Sequence, residues 1–307
     1  ETLSKNVQRK YSYDQNGYLT AQQVTAREGP EFDQNYLYDR VGNLIAKQDS
    51  AMGSDQYSYD PLGRLVSHTN PEGRVNQYTI DSAGNCLSTR IMTHTNDKPE
   101  DRTGLGREGD HEGLHYRFDS AGNLVKCKGE NDETRFIWDA NQRLRESKLN
   151  KRTTRYLYDP LGRRVCKETE GIASRFYWDG DALLADVLVD ENRSDFLATS
   201  RLREWVYYPE TFEPLAMNQN HGSSAGDLYI YQNDPNGCPM RLLDEEGRVV
   251  WAARYGAWGR VTRTLVNHVD NPIRLQGQYE DQETQLHYNR YRYYDADVGQ
   301  YVSQDPI

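Results

Sequence analysis

The sequence has few features of a chain organised around metal ions or disulfide bonds. Its four cysteines lie far apart and form no CxxC pair, so neither a zinc site nor a disulfide framework is expected. The seven histidines show no ligand spacing beyond His111-x-x-x-His115, which falls in a polar stretch where solvated histidines are expected. No cofactor and no metal site are therefore predicted.

Long apolar runs and a surplus of basic residues are also missing. No segment approaches the length of a membrane span, so none is predicted. The net charge is −10 and Lys and Arg are scattered, which argues against nucleic acid as a partner. The chain does not begin with Met and opens inside a repeat-like stretch, so we expect it to be part of a longer polypeptide.

Tyrosine, in contrast, is abundant, and the 23 tyrosines follow a repeat. Six segments share the pattern Tyr-x-(Tyr, Phe or Ile)-Asp-x-x-Gly, at residues 11–17, 36–42, 57–63, 78–84, 116–122 and 156–162, and weaker copies begin at Phe136 and Phe176. Asp119, Asp139 and Asp159 are each separated by twenty residues. A fixed period of this length predicts one supersecondary unit per repeat.

Each unit predicts a β-hairpin. The two aromatic residues of Tyr-x-Tyr point to the same side of a strand, and aromatic residues favour half-buried pleated surfaces. Asp-x-x-Gly fits a tight turn, in which the Asp side chain accepts backbone N–H groups and Gly eases the exit. Because one hairpin is only marginally stable, consecutive units must pair edge to edge. The sequence therefore predicts an all-β fold, with tandem hairpins forming a curled, spiralling sheet.

Two boundaries are predicted along the chain. Residues 1–270 are expected to form the repeat shell, and residues 271–307 a separate C-terminal segment. The polar composition from 98 to 113 and the break in the aspartate spacing there predict an exposed insertion.

The repeats resemble the YD repeats of the Rhs family of bacterial polymorphic toxins, which are shared with insecticidal toxin-complex C components and, more distantly, with teneurins. The resemblance is sharpest after residue 270: Asn271–Asp281, then Tyr288–Asp295, then Gly299–Ile307 are similar to the end of the Rhs core. There are departures, since Ala296 stands where the family often has Pro, Gln285 where Gly is usual and Gln300 where Arg is common.

This resemblance implies a hollow β-cocoon that encloses a variable C-terminal toxin domain. Its terminal plug folds inward and cuts the toxin free, in the manner of an aspartyl protease, just past Ile307. The matching residues are Asp281, Asp295 and Asp305, with Arg292 as an orienting cation. Such a chain would be at most a single-turnover autoprotease.

Paired carboxyl groups suit this chemistry, because two held close together do not both ionise readily. On this hypothesis Asp295 pairs with either Asp281 or Asp305, and the sequence leaves both open. From spacing alone, Asp295 and Asp305 also fit turn-capping aspartates like those of the repeats.

The alternative function is a secreted or cell-surface adhesion or carbohydrate-binding protein without catalysis, in which the tyrosines form stacking platforms. The resemblance after residue 270 favours the toxin container. Its expected partners are the toxin domain in cis, the N-terminal part of the shell, and delivery-machinery and immunity proteins. We expect an open or partial shell, completed by further repeats or by self-association, in an effector made in the cytoplasm and secreted or delivered from a bacterial cell.

Overall fold

The computed structural model describes residues 1–27, 31–92, 106–195, 200–222 and 225–305. These residues contain β-strands and turns but no helix, and accordingly no helix among them is long and apolar enough to cross a membrane. The all-β prediction is confirmed.

The strands form three antiparallel sheets. The first sheet has seven strands in chain order: β1 (Val7–Tyr13), β2 (Leu19–Ala26), β3 (Phe32–Tyr38), β4 (Leu44–Asp49), β5 (Gly53–Tyr59), β6 (Leu65–Thr69) and β7 (Val75–Gln77). The second has sixteen, again in chain order: β8 (Arg90–Ile91), β9 (Arg107–His111), β10 (Leu114–Phe118), β11 (Leu124–Lys128), β12 (Glu133–Trp138), β13 (Leu144–Leu149), β14 (Arg152–Tyr158), β15 (Arg164–Thr169), β16 (Ile172–Asp179), β17 (Ala182–Asp190), β18 (Arg201–Tyr207), β19 (Pro214–His221), β20 (Asp227–Asn233), β21 (Pro239–Leu243), β22 (Val249–Tyr255) and β23 (Val261–Asn267). The third has four: β24 (Tyr279–Glu280), β25 (His287–Asn289), β26 (Arg292–Asp295) and β27 (Gln300–Tyr301). Each of the described strands pairs only with the strands next to it in the sequence. The first and second sheets, together called the wall, are therefore successions of hairpins that do not close into a barrel.

The turn predicted from Asp-x-x-Gly is present, as the hairpin β5–β6 shows. The N–H of Asp60 donates to the carbonyl of Arg64 at 2.9 Å, and the N–H of Gly63 donates back to the carbonyl of Asp60 at 2.9 Å. The Asp60 carboxylate accepts two more backbone N–H groups, from Leu62 and Arg64. Gly63 has a φ of 77°, which glycine adopts at little cost, and the strand register shifts just before the turn.

The two aromatic residues of each repeat lie on one face of the wall, as the period of two predicts. In β14, Tyr156 is 1% exposed, whereas Leu157 on the opposite face is 60% exposed. A large core cluster forms on the tyrosine face, where Tyr116, Phe136 and Tyr156 of the wall pack with C-terminal residues. Part of the hydrophobic core thus lies between the large sheet and the C-terminal segment.

The first sheet packs against the far end of the second. Val7 and Phe32 join a core cluster with Ile230 and Leu243. Beside it, the guanidinium of Arg241 forms a buried ion pair with Asp49. These contacts place β1–β4 next to β20–β22.

One predicted feature differs. The insertion expected at 98–113 is partly strand, because Arg107–His111 forms β9 and pairs on both sides, with β8 and β10. A polar composition did not prevent pairing there, since an antiparallel strand can keep one face in solvent. Residues 98–105 lie outside the described part of the chain.

Candidate functional site

The C-terminal segment, residues 271–305, lies across the row of hairpin turns and the tyrosine face of the large sheet. Gln304 lies over the turn glycine Gly122, where an added Cβ would be 2.4 Å from its amide nitrogen. Tyr291 lies in the same way over Gly162. The N–H of Leu124 also donates to the carbonyl of Val302 at 2.8 Å. The glycines at these turns therefore allow the segment to pack closely against the wall.

Asp281, the first predicted site residue, is completely buried between cations of the wall. The guanidinium of Arg164 in β15 donates hydrogen bonds to both carboxylate oxygens, and the Lys167 ammonium lies 3.0 Å from one of them. The Arg164 guanidinium in turn lies over the Tyr288 ring, 4.2 Å from its centre. Burial works to raise the pKa of Asp281, but the two cations outweigh it and hold the pKa below its ordinary value. Asp281 is thus an ionised anchor.

Asp295, at the end of β26, is in the opposite situation. Asp295 is 6% exposed, and its carboxyl group accepts the backbone N–H of Asp297 at 2.8 Å, the same type of bond that turn aspartates make in the repeats. Burial raises the pKa of Asp295 to about 6, and the negative charge of Asp297 also acts to raise this pKa. In Asp60, by contrast, backbone hydrogen bonds at the surface lower the pKa. Asp295 therefore has the geometry of a turn cap but holds its proton much closer to neutral pH.

Asp297 is an acidic neighbour of Asp295 that the sequence motifs do not single out. The Arg260 guanidinium lies 2.7 Å from its carboxylate, yet burial raises the pKa of Asp297 as well. The hydroxyl of Tyr116 in β10 completes this buried group: it interacts electrostatically with Asp295 but has no hydrogen-bond partner of good geometry among the described residues. The sequence did hold a signal, since side chains two residues apart in a turn lie close together.

Asp305 and Arg292 are brought together at the end of the described chain. The guanidinium of Arg292 lies 3.2 Å from the Asp305 carboxylate and 3.6 Å from the centre of the Tyr301 ring. The Asp305 side chain is 51% exposed. The described hydrogen bonds and ion pairs join neither Asp281 nor Asp305 to Asp295, so the three predicted aspartates lie in three different environments.

A second buried ionic group anchors the start of the segment. Arg203 of β18 pairs with Asp186 of β17, and its guanidinium also reaches Asp270, 2.9 Å away. The hydroxyl of Tyr279 donates to Asp186 at 2.8 Å. The sequence alone does not identify these residues, because a single Arg in a strand does not show which acid it will face.

No group of three His, Cys, Asp or Glu side chains with the geometry of a metal site occurs within the described ranges. The site brings together carboxyl groups in contrasting environments, on a segment docked against a hairpin wall. A wall of antiparallel YD hairpins with a docked terminal segment defines the class of YD-repeat shells.

Comparison with known families agrees. The family described as teneurin YD-shell matches residues 1–94 and 54–306, and the chain belongs to this Rhs/YD-shell family. The resemblance inferred from the repeats is confirmed.

Among relatives, the double-stranded DNA deaminase toxin A of Burkholderia cenocepacia is 32% identical over 93% of this chain and 21% of its own length. Toxin protein Tse5 of Pseudomonas aeruginosa is 35% identical over 64% of this chain and 17% of its own length. The chain thus spans about a fifth of these curated relatives.

Solved structures show the same fold. The crystal structure of TcdB2–TccC3–TEV has a TM-score of 0.65 and 17% identity, over 98% of this chain and 17% of the other. The Tc holotoxin pore of Photorhabdus luminescens has a TM-score of 0.63 and 17% identity over the same shares.

Proposed function

We propose that this chain is part of a shell that encloses a C-terminal toxin domain and releases it by a single self-cleavage downstream of Asp305. Two findings support the container: the C-terminal segment docks on the tyrosine-bearing face, and the chain's relatives include named toxins. One observation carries the cleavage: burial raises the pKa of Asp295 to about 6, unlike that of the repeat aspartates.

The proposed chemistry divides acid and base between two environments. Asp305, oriented by Arg292, takes a proton from water, and the water oxygen bonds to the scissile carbonyl carbon. Asp295 donates its proton to the leaving amide nitrogen as the C–N bond breaks. Because these two carboxyl groups do not contact each other in the described bonds, the proposal requires the downstream segment to lie between them.

The remaining acidic residues have supporting roles. Asp281 accepts three hydrogen bonds from Arg164 and Lys167, which hold it ionised, so we assign it the role of an anchor for the segment. Asp297, held by Arg260, favours the protonated form of Asp295 through its charge. Of the two partners that the sequence left open for Asp295, the geometry favours Asp305.

The test is expression of the full-length protein with its downstream domain, followed by denaturing gels and mass spectrometry of the products. We expect Asp295→Asn and Asp305→Asn to leave the polypeptide intact, while Asp159→Asn, a turn aspartate of the wall, is cut like the wild type. Thermal melting confirms that each variant is folded. Unchanged cutting in Asp295→Asn would refute the catalytic proposal, and an uncut wild type would favour the adhesion alternative.

Enclosure of the toxin domain is tested separately from the cleavage. In the uncut Asp295→Asn protein, the toxin domain should resist a protease that digests the same domain expressed alone. Equal digestion would show that the domain is not enclosed. The same proposal makes the full-length protein an effector delivered from a bacterial cell, with an immunity protein as partner of the toxin.

A further inference from the structure

A cavity that we call the tyrosine cleft lies where the first sheet meets the large one, away from Asp295. It encloses about 780 Å³ and is bordered by hairpin residues of β1–β5 and by the turns next to β19 and β20. Among the residues that line it are Tyr13, Tyr18, Tyr38, Gln22, Glu213 and Asn233.

The cleft offers aromatic surface. Tyr13 is 61% exposed, an unusual position for so large a ring. Tyr18 and Tyr38 stack on each other with ring centres 5.0 Å apart. The Tyr38 hydroxyl is already used, since it donates to the carbonyl of Leu19 at 3.0 Å. What this ring presents to a ligand is therefore its π surface more than its hydroxyl group.

Two buried acceptors that border the cleft lack a partner among the described residues. They are the side-chain carbonyl oxygens of Gln22, which is 2% exposed, and Asn233, which is 3% exposed. The orientation of Asn233 is fixed, because its NH₂ group donates to Glu213 at 3.0 Å and to the carbonyl of Pro214 at 2.8 Å. A buried acceptor is unfavourable when it is left unpaired, so both oxygens are suited to a ligand that donates.

The charge at the cleft is negative. The acidic residues Glu1, Glu213 and Asp234 line it, and burial raises the pKa of both Glu213 and Asp234. No Lys or Arg is among the described residues that line it. Arg9 lies beside the cleft, where its guanidinium donates to the hydroxyls of the lining residues Tyr11 and Tyr208, each at 2.8 Å, and its charge partly offsets the rise in the pKa of Glu213.

We propose that the tyrosine cleft binds the guanidinium or ammonium group of a basic peptide side chain. Such a group donates hydrogen bonds and accepts none, which matches the unpaired oxygens of Gln22 and Asn233 and the carboxylate of Glu213. Its positive charge is also attracted to the faces of tyrosine rings. A sugar would stack equally well, but its hydroxyls also need donors, and the cleft is richer in acceptors. This proposal is independent of the cleavage at Asp295.

The experiment compares two nearly isosteric probes on the intact chain by isothermal titration calorimetry. N-acetyl-arginine amide carries the cation, N-acetyl-citrulline amide replaces it with a neutral urea group, and maltotriose serves as the sugar probe. We expect the arginine probe to bind at least about tenfold more tightly than the citrulline probe, with affinity that falls as salt rises.

Two variants locate the binding. Glu213→Gln keeps the acceptor for Asn233 but removes the charge, and should weaken arginine binding by about five- to tenfold. Tyr13→Leu should weaken it by about two- to fivefold. Their matched controls, Glu210→Gln and Tyr177→Leu, change an exposed acid and an exposed tyrosine outside the cleft and should bind like the wild type.

Several outcomes would overturn the proposal. These are equal binding of the two amide probes, binding of maltotriose alone, no saturable binding of the arginine probe, or wild-type affinity in both cleft variants. Thermal melting of each variant separates a lost site from a lost fold.

Discussion

Arg164 in β15 and Asp281 in the C-terminal segment are 117 residues apart in the chain, yet they form a two-point ion pair in which both side chains are 0% exposed. The guanidinium is enclosed by aromatic rings, including Phe176 at 4.7 Å and Tyr288 at 4.2 Å. This pair ties the terminal segment to the wall, and it relies on both charges being present.

Removing one charge of this pair should therefore be more damaging than removing both. We expect Asp281→Asn to lower the free energy of unfolding by about 3–5 kcal/mol, because it leaves a buried guanidinium without its counter-ion. The double variant Arg164→Met/Asp281→Leu should lose less. Urea denaturation measures both values, and a double variant that is less stable than the single one would contradict this role.

The buried carboxyl group of Asp295 should make stability depend on pH. Its pKa is raised from 3.8 to about 6 in the folded chain, so the folded state holds the proton more strongly than the unfolded state. The contribution of Asp295 to the free energy of unfolding is complete below about pH 4 and is lost as pH rises through about 6. It amounts to about 3 kcal/mol in total.

The measurement is urea denaturation at intervals from about pH 4 to 7, for the wild type and Asp295→Asn. Asp281 has the opposite dependence, since its lowered pKa gives stability that is lost as pH falls, but it is present in both proteins and cancels. The free energy of unfolding of the wild type should therefore fall relative to that of Asp295→Asn as pH rises. A constant difference would show that Asp295 titrates normally.

Gln285 occupies a backbone conformation that suits glycine. Its φ is 61°, in the turn between β24 and β25 where the family usually has Gly. We expect Gln285→Gly to raise the free energy of unfolding by about 1 kcal/mol, because the left-handed conformation is strained for a residue with a Cβ. Gln282→Gly, in the same turn but without a positive φ, should be neutral or destabilising. Chemical denaturation compares the two.

Gly299 should tolerate no side chain, because it lies against the Trp258 ring. An added Cβ would be 2.7 Å from the ring, and its φ is 66°. Gly84 has a φ of 91° but nothing within 4 Å, so it is the control. We expect Gly84→Ala to cost about 1–2 kcal/mol for backbone strain alone and Gly299→Ala about 1–3 kcal/mol more for overpacking. Equal losses in thermal or urea unfolding would show that the contact with Trp258 is unimportant.

Local patterns in the sequence were sufficient to predict the hairpin wall. The turn at Asp60 depends only on residues within five positions, and the shared face of Tyr156 and Tyr158 follows from the alternation of a strand. Because a single hairpin is only marginally stable, repeated hairpins are expected to pair edge to edge and so to bury their aromatic faces. The polar strand at Arg107–His111 escaped prediction because its pairing depends on neighbouring strands more than on its own composition.

The candidate site was predicted only in part. The sequence singled out Asp281, Asp295, Asp305 and Arg292, but it gave each aspartate the same chemistry, because all three are carboxyl groups beside turns. Only the tertiary structure surrounds Asp281 with cations, buries Asp295 beside Asp297 and exposes Asp305 next to Arg292. The catalytic roles of these residues stay predictions.

What the sequence determined by itself is therefore the repeating unit and the family, because both depend on residues close together in the chain. What only the tertiary structure decided is the environment of each charge. A carboxyl group takes its pKa from burial and from charges that the fold brings within a few ångströms, and for Asp281 those charges come from a strand more than a hundred residues away.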